Sequence, residues 1–153
     1  MIVNRGGAPV LLLSRVFLGR EIVPKRFAAI AFTLLLSSPA FAADLRSEIV
    51  NAGEHAEYAG EAANIDEVHF HLHHALNCLV GPKGDGFDKA QMNPCVNSGN
   101  GIIPDATDSK MIAIFQSAAA KAREGLATND LAAAKADATA AAKAIVGTLK
   151  GMK

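Results

Sequence analysis

The sequence predicts an all-α protein, an antiparallel four-helix bundle made of two repeated αα-hairpins joined by a long disulfide-pinned loop. Three observations predict it. Apolar residues between positions 49 and 80, and again between 115 and 146, recur at spacings of three and four, the period of a helix with one buried face. An offset of 66 lays the first stretch on the second, with Ile49 on Phe115, Ala52 on Ala118, Ala56 on Ala122, Leu72 on Ala138, Ala75 on Ala141 and Leu79 on Ile145. Between them, residues 81–103 are crowded with turn formers and hold one of the 2 cysteines. Two hairpins with one apolar stripe per helix bury those stripes most simply against each other.

Residues 1–42 read as a secretory signal rather than as part of the fold. Lys25 and Arg26 precede an apolar run from Phe27 to Leu36, and Ala40-Phe41-Ala42 places small residues two apart before Ala43. That run of ten residues is too short to cross a hydrocarbon layer of about 30 Å as a helix. Residues 1–25 fit poorly in front of such a signal, because Val10 to Leu18 adds a second apolar patch broken by Arg15. They read either as an over-extended start, with initiation at Val23, or as a long n-region. Cleavage after Ala42 leaves residues 43–153, which carry ten bases and fourteen acids, a net charge of −4. The expected product is periplasmic or secreted, keeps no membrane segment, and lacks the basic footprint of a nucleic-acid-binding protein.

The first hairpin is expected over residues 44–80. Asp44 can cap a helix running to about Gly60 and Asn64 can cap the next, since their side-chain oxygens accept from free N–H groups of a first turn. The second hairpin is expected over 104–150: Pro104-Asp105 opens a helix, Gly125 lies near its end, and Asn129 or Asp130 caps the last one. Nine of the eighteen residues from Asn129 to Val146 are Ala, which favours helix but buries little area. Most of the bulk is therefore expected from Met111, Ile112, Phe115, Leu126, Leu131, Ile145 and Leu149. For the loop, 81–103, a disulfide between Cys78 and Cys95 is the default reading in an exported chain and would tie it to the end of the second helix. A loop of this length without secondary structure is uncommon, and serves either as a pinned crossover or as a partner-binding surface.

Any chemistry resides in the histidines. All 5 lie in the first hairpin: His55, and the run His69-Phe70-His71-Leu72-His73-His74. The same segment, residues 43–81, has seven acids and one base. On a helix His69 and His73 lie one turn apart beside the stripe of Ile65, Val68, Leu72, Leu76 and Leu79, a spacing that lets two imidazoles converge on one ion. A turn centred near Ala62 puts His55 seven residues before it and His69 seven after, so the two are expected to face each other. The predicted metal ligands are His55, His69 and His73, with His71, His74 and Glu57 as weaker candidates: His71 falls on the opposite flank near Cys78, His74 points outward with Phe70, and Glu57 is one of several nearby carboxylates that can serve as fourth ligand or accept from a ligating imidazole. Imidazole and carboxylate suit copper, zinc or nickel. The alternative is a set of polar histidines on a solvated face.

The pattern His55-Ala56-Glu57, Ala62-Ala63, His69 and His73-His74-Ala75-Leu76, echoed from Ala118 to Ala144, resembles the small metal-binding protein family of exported bacterial four-helix bundles. The resemblance implies divalent-metal binding, copper included, with His55, His69 and His73 at the carried-over ligand positions. Lys121, Lys135 and Lys143 stand in the second hairpin where that family would have histidines, so a single site is expected.

Other chemistries find little in the sequence. There is no C-x-x-C-H for covalent haem, no phosphate-cradling glycine motif and no H-E-x-x-H. Met111 with a histidine is the one conceivable haem pair, and the repeat does not bring them to matching depths. An enzyme is not expected. Two functions remain: a periplasmic protein that sequesters or carries a transition metal, or a structural module that meets a periplasmic protein partner through the 81–103 loop and Phe70.

Overall fold

In the computed structural model the described residues are 43–152. The signal expected over residues 1–42 lies outside them. Among the described residues there are helices and no strand: α1 (Leu45–Glu61), α2 (Ile65–Val80), α3 (Ile102–Asp105), α4 (Ser109–Ala127) and α5 (Leu131–Gly147), then a 3₁₀ turn at Thr148–Gly151.

The helix starts follow the expected caps in three cases out of four. Asp44 accepts from the Ser47 N–H at 3.0 Å and Asn64 from the Glu67 N–H at 3.0 Å, while the Glu67 carboxylate reaches back to the Ala63 N–H at 3.0 Å. Of the two residues offered for α5, Asp130 is the cap, accepting from Ala133 N–H at 2.8 Å. The exception is the third start. Pro104-Asp105 closes a single turn, α3, and the long helix begins four residues later, where Asp108 accepts from the N–H groups of Lys110 and Met111, each at 2.9 Å. A proline stiffens a first turn but supplies no acceptor for the free N–H groups, whereas the Asp108 carboxylate does.

α1 packs on α2 and α5, α4 packs on α5 and α2, and α2 and α5 also touch each other. The buried faces hold Ile49, Ala52, Ala56 and Ala59 of α1, Val68, Leu72, Ala75 and Leu79 of α2, Phe115, Ala118 and Ala122 of α4, and Ala134, Ala138, Ala141 and Ile145 of α5. Of the bulky residues expected to fill this core, Phe115 and Ile145 are fully buried, while Met111, Ile112, Leu126, Leu131 and Leu149 are only partly covered and lie at its ends and edges. No helix among the described residues is long and apolar enough to cross a membrane.

The loop between α2 and α3 is closed where it begins and ends. Gly81 and Gly101 both have positive φ, 68° and 113°, and a Cβ on either would run into the other end's backbone, so glycine is required at both. A disulfide joins Cys78 of α2 to Cys95, both fully buried. Asn77, also fully buried, completes the attachment: its Oδ1 accepts from the Asp88 N–H at 2.8 Å and its Nδ2 lies 2.9 Å from the Asp88 carbonyl and 3.2 Å from that of Met92. Glu48 of α1 holds the far end, accepting from the Gly101 N–H at 2.9 Å. The loop thus lies over the outward side of the last turns of α2.

Candidate metal centre

The core stripe of α2 divides its histidines between two neighbours. On one flank, His69 reaches the turn between α4 and α5, with Nε2 donating to the Thr128 carbonyl at 2.9 Å. One turn on, His73 sets Nδ1 3.7 Å from the Asp88 carboxylate of the loop. The other flank carries His71, His74 and Cys78 at i, i+3 and i+7, and it faces α1. There His55 and His71 bring their Nδ1 atoms to 3.2 Å, and the His55 and His74 rings stand 4.9 Å apart, centroid to centroid.

The expected trio of His55, His69 and His73 is therefore not brought together. His55 keeps its place, but its neighbours are His71 and His74. Helical periodicity locates the buried stripe without saying on which side of it the preceding helix lies. That side is the one bearing Cys78. His74, expected to point outward, is only 1% exposed: the Phe70 ring meets it edge-on at 4.2 Å and the His55 ring of α1 stands 4.9 Å away. Glu57 is exposed and turned toward α5, where it lines a hollow with Thr139 and Lys143.

Each of His55, His71 and His74 offers a ring nitrogen, and the three atoms lie within 4.8 Å of one another. A tetrahedral ion with bonds of 2.0–2.1 Å would hold its donors about 3.3 Å apart. The His55–His71 separation of 3.2 Å already meets this, and His74, within 4.8 Å of both, would have to draw in to complete the other two edges. The electrostatics favour the same chemistry. Burial, and then the neighbouring imidazoles His55, His71 and His73, push His74 down to about 4 from its ordinary 6.5, and burial followed by His71 lowers His55 as well. Both are then neutral at physiological pH, the form that binds metal. Neither ring nitrogen of His74 has a hydrogen-bond partner. A buried imidazole left so costs about 1–3 kcal/mol for each unsatisfied group, and a coordinated ion would satisfy one of them directly.

Two of the three lysines named in α4 and α5 have other tasks. Lys135 donates to the Ala62 carbonyl at 2.8 Å at the C-terminal end of α1, where its charge also suits the helix dipole. Lys121 pairs with Asp137 at 3.2 Å and with Glu124. Two residues with structural weight, Glu48 and Asn77, are absent from the expected set. Their types gave no signal, since Asp, Asn and Glu at such positions are usually solvated.

Compared with protein families, curated proteins and solved structures, the chain matches none.

Proposed function

We propose that this chain is an exported, non-enzymatic metal-binding protein, periplasmic or secreted, that sequesters or carries one divalent transition ion, copper, zinc or nickel, at His55, His71 and His74. The observation that carries the reading is His74, an imidazole buried to 1% exposure with both nitrogens unpartnered, in a group of three whose donor atoms lie within 4.8 Å. A site that existed only for packing would have no use for that unmet polar group. An intramolecular disulfide between Cys78 and Cys95 supports an oxidising compartment.

We read the four long helices as an antiparallel four-helix bundle built from two similar hairpins. The cross-helix contacts support this: His55 meets His71 at 3.2 Å, and the residues 66 positions later, Lys121 and Asp137, meet at 3.2 Å.

The test is a calorimetric titration of the protein with its disulfide intact, against Cu²⁺, Zn²⁺ and Ni²⁺, for three chains: the wild type, His71→Ala/His74→Ala and His69→Ala/His73→Ala. One-to-one binding tighter than micromolar, lost in the first double variant and kept in the second, is the expected result. Loss in the second variant alone would move the site to the other flank of α2.

The second reading, a protein-interaction module, is favoured by Met92 and Val96, which are 56% and 65% exposed on the 81–101 loop. Under it, substitutions at these two residues abolish function and chelators leave it intact.

A further inference from the structure

Three imidazoles are one donor short of a closed tetrahedral site. Among the described residues, no fourth His, Cys, Asp or Glu joins the group. Cys78 is committed to its disulfide, His69 is hydrogen-bonded to Thr128, and His73 lies on the far flank of α2, 3.7 Å from the Asp88 carboxylate. The surroundings of the group are also one-sided. His74 forms its floor, while His55 and His71 are half-buried. Tyr58 and Phe70, 50% and 49% exposed, stand on the solvent side, with rings 5.4 Å and 5.1 Å from that of His71. Beside His71 the surface sinks into a hollow of about 340 Å³ lined by Tyr58, Glu61, Ala62, Ala63 and Glu67.

Resting on the metal reading above, we propose that an ion held by His55, His71 and His74 keeps one coordination position open between Tyr58 and Phe70, and that this position takes an exogenous monodentate nitrogen donor, imidazole by class. Water occupies it otherwise. Glu61 and Glu67 decide the ligand class. Their carboxylates line the hollow beside His71 and set a negative field that disfavours an anionic donor over a neutral one, while the flanking rings of Tyr58 and Phe70 favour a flat ring over a bulky group. A carrier needs such a position, because an ion can then be passed on by a donor that binds before any protein ligand leaves. The side chain of a receiving histidine has this chemistry.

The experiment loads the protein with one equivalent of Cu²⁺ at pH 8 and titrates it with ¹⁵N-labelled imidazole, and separately with acetate, followed by the copper absorption band and by pulsed electron paramagnetic resonance. The expected result is a saturable band shift, with the labelled ring added to three retained protein imidazoles. Imidazole should bind at least about tenfold tighter than acetate, with the ratio falling in Glu61→Gln. No band shift, or a labelled ring that replaces a protein histidine, would overturn the open position. Acetate binding as well as imidazole would overturn the part given to the carboxylates. A protein that takes up no Cu²⁺ would overturn the metal reading itself, a result distinguishable from the other two.

Discussion

Replacing His74 by Leu should stabilise the metal-free protein, which is unusual for a fully buried residue. His74 is 1% exposed and neither ring nitrogen has a partner. A neutral imidazole has one donor and one acceptor, and leaving each unmet in the interior costs about 1–3 kcal/mol. Leu is close in volume and has nothing to satisfy, although an imperfect fit against Phe70 and His55 returns about 1 kcal/mol. The net expectation at pH 8 is a gain of about 2 kcal/mol, or about 8 °C in Tm for a domain of this size. Below neutrality the gap should widen. His74 is pushed down to about 4, so the folded protein binds fewer protons than the unfolded chain between pH 6.5 and 4, and stability present above 6.5 is lost as pH falls through that window. Two and a half units at 1.36 kcal/mol each make this about 3 kcal/mol, and His74→Leu abolishes it.

Thermal unfolding with and without Cu²⁺ at pH 8 and pH 5 reads all of these effects. Wild-type protein should gain about 2.7 kcal/mol when free metal stands at a hundred times Kd, and the variant nothing from that site. A His74→Leu protein that is less stable than wild type at pH 8 would refute the reasoning, because His74 would then be meeting a structural need.

Other predictions follow from the groups around the loop. Burial pushes the Glu48 carboxyl up to about 7, with Asp105 and Asp44 adding to it against the Gly101 N–H. The folded state then binds the extra proton, so the contribution is full below pH 4.5 and is lost as pH rises to about 7, a fall of about 3 kcal/mol. Urea unfolding at pH 5 and pH 8 should show that component in wild type and not in Glu48→Gln; equal pH slopes for the two would remove it. The paired change Cys78→Ser/Cys95→Ser should cost about 3 kcal/mol through the unfolded chain. It should also weaken metal binding about 10–100-fold, since the loop fixes the turn of α2 that follows His74. An unchanged Kd in that variant would mean that the site does not depend on the loop.

Much of this arrangement can be read in the residues, and what cannot has definite causes. The all-helical class, the caps Asp44, Asn64 and Asp130, and the Cys78–Cys95 bridge all rest on local rules, in which a residue type has one common use at one kind of position. The ligand set does not. His69 and His71 lie on opposite sides of a stripe centred on Leu72, and periodicity alone treats the two sides alike. Choosing between them requires the hand of the turn between α1 and α2, which Ala62, Ala63 and Asn64 do not encode in any simple pattern. His74 requires more. Its position on the helical wheel faces away from the core stripe, and the rings of His55 and Phe70, which stand 4.9 and 4.2 Å from it, are not signalled by that wheel. The start of α4 was misplaced for a simpler reason, since proline marks a helix start less securely than an aspartate that can accept two N–H groups.

The α4–α5 pair offers a control for the α1–α2 pair. At the positions where α1 and α2 bring together His55 and His71, α4 and α5 bring together Lys121 and Asp137, in both cases at 3.2 Å. A cross-helix polar contact at this level is therefore compatible with helix packing without any metal. What the α4–α5 pair lacks is a third donor: 66 residues after His74 stands Ala140, which is exposed. The double change His55→Lys/His71→Asp would rewrite the first contact in the terms of the second. Were the histidine pair only a helix clip, the ion pair should replace it with a stability change within about 1 kcal/mol, as expected for a half-exposed pair. Metal binding should vanish, because a lysine ammonium now occupies the site, pairs with the introduced carboxylate, and leaves His74 as the one histidine. Calorimetric titration and urea unfolding on the same sample separate the two outcomes. Metal affinity within a few-fold of wild type in this variant would show that the ion is held elsewhere, and the three-histidine centre would have to be abandoned.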